Sequence, residues 1–219
     1  MYLIFDTETT GLPRNFNAPL DQFDNWPRLV QLAWQIHDFE GKLIDIQNYI
    51  IKPEGFNIPI NAQEIHGIST DMAQKEGTVL SVVLKAFNKA VSNVEFIVGH
   101  NISFDINIVG SEFLRNGMDN ILFSKLSIDT KEESTQFCQI PGGRGGKYKW
   151  PNLSELHNKL FGKDFNLAHN ASADVGATAR CFLELIRLEV INHEKVGLDK
   201  EQLKKYKTIN QESFDSFIP

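Results

Sequence analysis

Apolar residues arrive in two rhythms along this chain. Tyr2-Leu3-Ile4-Phe5 is an unbroken apolar run, the pattern of a central strand covered on both faces. From 29 to 37 the pattern alternates, with Val30, Leu32, Trp34 and Ile36 on one face and Gln31, Ala33 and Gln35 on the other. Glu40-Gly41-Lys42 reads as a turn into a strand over 43–51, so 29–51 is expected to be a hairpin. Residues 12–28 hold Pro13, Pro19 and Pro27 among Asn and Asp residues and read as a long loop, as do most of residues 53–77. A helix is predicted over about 78–92, a short apolar strand over 95–98, and a helix over about 103–117 with Ile106, Val109 and Phe113 as its buried stripe. A short strand near 127–129 precedes a Gly-rich loop over 139–151. Asn152, with Glu155 three residues later, marks the start of a helix striped by Leu153, Leu156 and Leu160. Val175, Ala179, Phe182, Ile186 and Val190 stripe the last strong helix, about 172–191.

This order predicts an α/β fold, with a mixed five-stranded sheet flanked by helices on both faces. The first three strands should be mostly antiparallel, with the strand at 95–98 returning beside the first. One domain is expected over 1–195, followed by a C-terminal tail or linker over 196–219 that carries a short helix near 200–207.

Composition narrows this picture only slightly. The 219 residues are 42% hydrophobic and 23% charged, ordinary for a globular chain. No apolar run approaches the roughly 20 residues needed to cross a bilayer, and no basic-then-apolar leader opens the chain. Cys138 and Cys181 have no metal-site spacing, and Cys181 falls in a helical pattern as a buried thiol, so a reducing, cytoplasmic setting without a membrane is expected. The net charge of −6 argues against broad electrostatic gripping of nucleic acid. It discriminates weakly, because clustered acidic ligands count heavily in it and bound cations would offset them.

The chemistry concentrates where the first strand runs out, in Asp6-Thr7-Glu8-Thr9-Thr10-Gly11. Side chains two apart in a strand share a face, so Asp6 and Glu8 project together. They are either solvated residues of a turn or ligands of a cation, and hard oxygen donors favour magnesium or manganese. Asp105 falls in the first turn of a predicted helix after a buried strand, where an acid commonly serves the positive helix end. Asp174 opens the last long helix and alone would also read as a cap; His169 alone would read as a loop histidine. Yet open sheets gather their sites at the carboxyl ends of strands. If the strand at 95–98 pairs beside the first, Asp105 meets Asp6, and a final helix across that edge adds Asp174. Four carboxylates in one place are costly alone and natural around two metal ions.

Taken together, Asp6-x-Glu8 with Thr-Thr-Gly, His100-Asn101-x-x-Phe104-Asp105 and His169-x-x-x-x-Asp174 resemble the three signature motifs of the DEDDh exonucleases, including the epsilon-type proofreading enzymes with a ribonuclease H-like fold. The resemblance spans about residues 1–190, and Ile65-His66-Gly67-Ile68 matches a short segment between the first two motifs. It implies 3′–5′ release of mononucleotides from DNA with two divalent ions, Mg2+ or Mn2+, held by Asp6, Glu8, Asp105 and Asp174. It also implies that His169 is the general base, titrating near about 6.5 if unperturbed. Thr9, Thr10, Gly11, His66 and Phe104 would contact the terminal nucleotide; turn formation for His66 and core packing for Phe104 stand as alternatives.

The long 12–28 loop and the Gly-Gly-Arg-Gly-Gly segment at 142–146 depart from compact members. Arg144, Lys147, Tyr148, Lys149 and Trp150 interleave charge and aromatic surface, which suits a single strand, against the plainer possibility of a solvated loop. Likeness over 1–70 to exonuclease segments of bacterial replicative polymerase alpha chains suggests proofreading or repair, with a polymerase alpha subunit as partner and a DNA 3′ end as substrate. An exoribonuclease trimming tRNA ends or short RNA shares the same motifs, and a non-catalytic scaffold is the remaining alternative.

Overall fold

The computed structural model describes residues 1–163 and 171–216. Strands β1 (Tyr2–Thr9), β2 (Leu29–His37), β3 (Leu43–Ile50), β4 (Phe96–Gly99) and β5 (Leu126–Asp129) form one sheet in the order β3-β2-β1-β4-β5. β2 runs antiparallel to both β1 and β3, while β4 lies parallel to both β1 and β5. This is the mixed five-stranded sheet that the pattern predicted, with the hairpin on one side of β1 and the returning strand on the other.

Helices α1 (Ile60–His66), α2 (Thr70–Glu76), α3 (Leu80–Ser92), α4 (Ile102–Arg115), α5 (Thr130–Cys138), α6 (Leu153–Phe161), α7 (Ala171–Arg187) and α8 (Lys200–Ser216) complete the described chain. Alternation along β1 splits it between two cores. Leu3 and Phe5 join Trp34, Phe87, Val109 and Phe113 beneath α3 and α4. Tyr2 and Ile4 join Val98, Leu156, Val175 and Phe182 beneath α6 and α7. The unbroken apolar run at 2–5 therefore exists because both faces of β1 are covered. None of the helices described is long and apolar enough to cross a membrane.

Several elements differ from the pattern-based expectation. Residues 53–77, expected to be mostly loop, hold α1 and α2. Each is only two turns long, too short to display a periodic stripe, and they bury little beyond Ala62, His66 and Ala73. Their ends are nevertheless marked: Gly67 closes α1 at φ 77°, and the Ser69 side chain accepts the Met72 N–H to start α2. The capping box at Asn152 and Glu155 forms as the sequence suggests. α8 is longer than the expected 200–207. Leu203 and Tyr206 bury into the second core, and the Tyr206 hydroxyl donates to the Leu183 carbonyl at 2.9 Å.

Candidate active site

The face of β1 that carries Tyr2 and Ile4 also carries Asp6 and Glu8, and α7 packs on that face. Gln31 of β2 lies directly opposite Glu8 in the strand pairing. Its Oε1 accepts the Ala171 N–H at 3.2 Å, while its Nε2 donates to Asn48 Oδ1 at 2.9 Å. The first residue of α7 is thereby pinned over the end of β1, and Asp174 follows within the first turn. Carboxylate oxygens of Asp6, Glu8 and Asp174 all lie within 4.8 Å of one another.

Asp105 arrives from the opposite face. The chain leaves β4 through Asn101 at φ 74°, a left-handed turn that aims α4 back toward β1. Gly99 lies just before it, and a β-carbon there would lie 2.6 Å from Ile102 Cδ1 and 3.1 Å from Ile102 Cβ, so the Ile102 side chain would have to shift. The Asp105 carboxylate, 4% exposed, accepts from the Thr7 amide at 3.0 Å and the Thr7 hydroxyl at 2.6 Å. Its ties are to β1, so it closes the cluster from below.

These carboxylates hold their protons unusually tightly. Burial, then the charges of Asp105, Asp174 and Glu8, raise Asp6 well above the ordinary carboxylate range. Glu8 is pushed up to about 7 by burial, then by Asp174 and Asp105. Asp105 also reaches about 7, with burial prevailing over the two Thr7 hydrogen bonds that favour the charged form. Among the described residues, no salt bridge involves Asp6, Glu8 or Asp105.

The nucleotide-facing candidates divide. The Thr9 hydroxyl donates to the Gly11 carbonyl at 2.6 Å and shapes the turn after β1. The Thr10 hydroxyl accepts the Arg28 N–H and the Thr10 N–H donates to the Arg28 carbonyl, both at 2.9 Å, so Thr10 closes the neck of the 12–28 loop. Gly11 sits at φ 148°, a backbone setting that disfavours side chains. His66 Nδ1 accepts the Ile68 N–H at 3.1 Å, which puts the ring proton on Nε2, and burial lowers its basicity. A backbone interaction with Thr9 places His66 beside the end of β1. Phe104 is half-buried and pairs with Phe16 of the 12–28 loop at 6.4 Å between ring centroids. His169 lies outside the described residues.

The loop at 12–28 is firmly braced. Arg115 donates to the Phe23 and Trp26 carbonyls at 2.7 Å each. Arg28 and Arg115 both reach Glu112 Oε1, at 2.9 and 3.0 Å. Thr7, Gln31 and Glu112 were not singled out in the sequence. Gln31, one of two glutamines on the less apolar face of β2, was the one visible signal. Thr7 gave none, because its role depends on a helix about 100 residues away folding beneath it.

The exonuclease family model, of RNase T type, matches residues 3–182. The chain belongs to the exonuclease family. It carries the DEDDh order of motifs and the ribonuclease H-like fold, and it is a nuclease by that membership. This exonuclease chain is 26% identical over 204 residues to a DNA polymerase III PolC-type protein of Latilactobacillus sakei, covering 91% of the chain but 12% of the relative. A Streptococcus pyogenes serotype M2 PolC-type protein is 29% identical over 179 residues, covering 82% of the chain and 11% of the relative. The chain thus spans a small part of these relatives. In fold it resembles Escherichia coli Exonuclease I in complex with a dA16 oligonucleotide, with a TM-score of 0.67, 22% identity, and coverage of 93% of this chain and 44% of that one. Exonuclease I of Methylocaldum szegediense gives a TM-score of 0.66 at 21% identity, covering 99% and 44%.

The donor set of the exonuclease suits a divalent cation. Its oxygens are hard ligands, they converge from three elements, and burial raises the cost of their charge. A cation would offset the burial cost, and the smaller mutual repulsion, that otherwise keep protons on them.

Proposed function

We propose that this exonuclease removes mononucleotides from the 3′ end of single-stranded or frayed DNA, as the proofreading or repair segment of a replicative polymerase. Asp6, Glu8, Asp105 and Asp174 would hold two divalent ions, Mg2+ or Mn2+. When bound, such ions polarise the scissile phosphate and make water a better nucleophile near neutral pH. The chain's own residues set the geometry: Thr7 fixes Asp105, Gln31 fixes the start of α7, and the Thr9–Gly11 turn offers backbone beside the terminal nucleotide. His169 is the residue expected to take the proton of the attacking water. The gathering of Asp6, Glu8 and Asp174 oxygens within 4.8 Å carries the proposal. PolC-type relatives support polymerase association, and the Exonuclease I complexes with oligonucleotides support a single-stranded substrate.

The test is release of mononucleotides from labelled single-stranded DNA beside matching RNA, with Mg2+ or Mn2+. Release from DNA is the expected result. Faster release from RNA would make the enzyme an exoribonuclease, and release from neither would leave the scaffold alternative. Asp6→Ala serves as control, expected to fold normally and to abolish release.

A further inference from the structure

The aromatic and basic loop at 147–151 is stitched to the active-site motif rather than left in solvent. His100, next to the α4 turn, makes a 3.0 Å contact through Nε2 with the Pro151 carbonyl. Lys149 N donates to the Ile140 carbonyl at 2.9 Å, and Lys149 Nζ pairs with Glu155 at 2.6 Å. Lys131 Nζ donates to Asn101 Oδ1 at 2.5 Å and sits 4.4 Å from the centre of the Trp150 ring. Asp129, at the end of β5, accepts the backbone N–H groups of both Asn101 and Lys131, at 2.9 and 3.0 Å. Trp150 is therefore held at the carboxyl ends of β4 and β5, on the rim that Asp105 enters through α4.

Folding does not explain this tryptophan. Trp26 and Trp34 are 3% and 1% exposed, whereas Trp150 is 62% exposed. An exposed indole fixed beside an ammonium group, on the same carboxyl edge of the sheet as the acidic cluster, presents a flat face for a base and a charge for a phosphate. We propose that Trp150 and Lys131 form a binding subsite for the single-stranded DNA leading into the active site, with a base stacked on Trp150 and the neighbouring phosphate against Lys131. This deepens the exonuclease function proposed above and rests on it for the identity of the strand.

Trp150 supplies its own reporter, since the other two tryptophans are buried. Tryptophan emission is followed while dT16 is titrated into the full chain in EDTA, where no hydrolysis interferes. Quenching by dT16 is expected, and Trp150→Phe should lose the quenching while binding dT16 within about twofold of the original, because the stacking face remains. Trp150→Ala should weaken dT16 binding about tenfold. With Mg2+ or Mn2+, it should raise the ratio of KM for dT16 to KM for the p-nitrophenyl ester of thymidine 5′-monophosphate by about the same factor. Lys131→Gln should lower the salt dependence of binding by about one counterion. Hydrolysis of dT16 without quenching, or with Trp150→Ala at the original KM, overturns the subsite and leaves the exonuclease function standing. Quenching without hydrolysis supports the subsite and overturns the exonuclease function. Neither quenching nor hydrolysis overturns both.

Discussion

Two buried acids lie two turns apart along α4, and the protein treats them oppositely. Glu112 is fully covered, yet its Oε1 receives Arg28, Arg115 and the Leu29 N–H at 2.9, 3.0 and 3.1 Å. Its charge is met by permanent cations, and the result is a brace between α4 and the long 12–28 loop. Asp105, two turns earlier on the same helix, faces Asp6 and its neighbours, and the group holds protons toward neutral pH. One site has its charge met by two guanidinium groups through Oε1, although Glu112 Oε2 has no hydrogen-bond partner among the described residues, and its role is structural. The other keeps an electrostatic cost that the cations of the proposed site would offset.

The contrast can be broken most sharply at its two centres. Asp6→Asn should lower the rate of nucleotide release by about 10³-fold, roughly 4 kcal/mol of barrier, while the metal-free protein melts no lower than the original. A matching fall in melting temperature would make Asp6 a structural acid like Glu112. Glu112→Ala should do the reverse. Removing it takes the anionic partner from two guanidinium groups and the acceptor from a backbone N–H, at a cost of about 3 kcal/mol in urea denaturation, and a stability loss within about 0.5 kcal/mol of zero would show that the brace is ornamental.

Smaller effects refine the picture. Thr7→Val removes the hydroxyl bond to Asp105 but keeps the strand, so release should slow about tenfold and the metal requirement should shift to higher concentration. A metal titration unchanged from the original would mean that Thr7 does not position Asp105. Last comes pH. Glu8 rises from 4.5 to about 7 on folding, so the folded protein binds protons that the unfolded chain releases. Stability of the metal-free protein should therefore be greatest below about pH 4.5 as far as this group is concerned and should fall as pH rises through about 7. A melting temperature lower by about 5 °C at the upper end is expected, with Mg2+ or Mn2+ restoring it. A metal-free profile flat over that interval would show that the cluster carries no such strain.

Much of this was legible in the residues because it rests on local rules. Asp6 and Glu8 could be put on one side of β1 by counting residues, and the unbroken run at 2–5 already implied a strand covered twice. The hairpin, the stripes of α4, α6 and α7, and the box at Asn152 followed from periodicity and capping. α1 and α2 were not legible, since two turns show no period. Nor was the polar α5, which starts from Asp129 accepting the Lys131 N–H. The bonding of Thr10 to Arg28 at the loop neck was not legible either, since it joins residues 18 apart.

The sequence by itself determined the class of fold, the strand order around β1, and which carboxylates are spaced to act together, because alternation, helical stripes and motif spacing are properties of neighbours in the chain. Only the tertiary structure decided that α7 brings Asp174 onto the Asp6 face while α4 brings Asp105 from beneath through Thr7. It alone separated Asp105, which has no salt bridge among the described residues, from the acid neutralised by Arg28 and Arg115. Charge and burial are set by what packs against a residue, and those partners can lie far along the chain, 140 residues apart for Gln31 and Ala171.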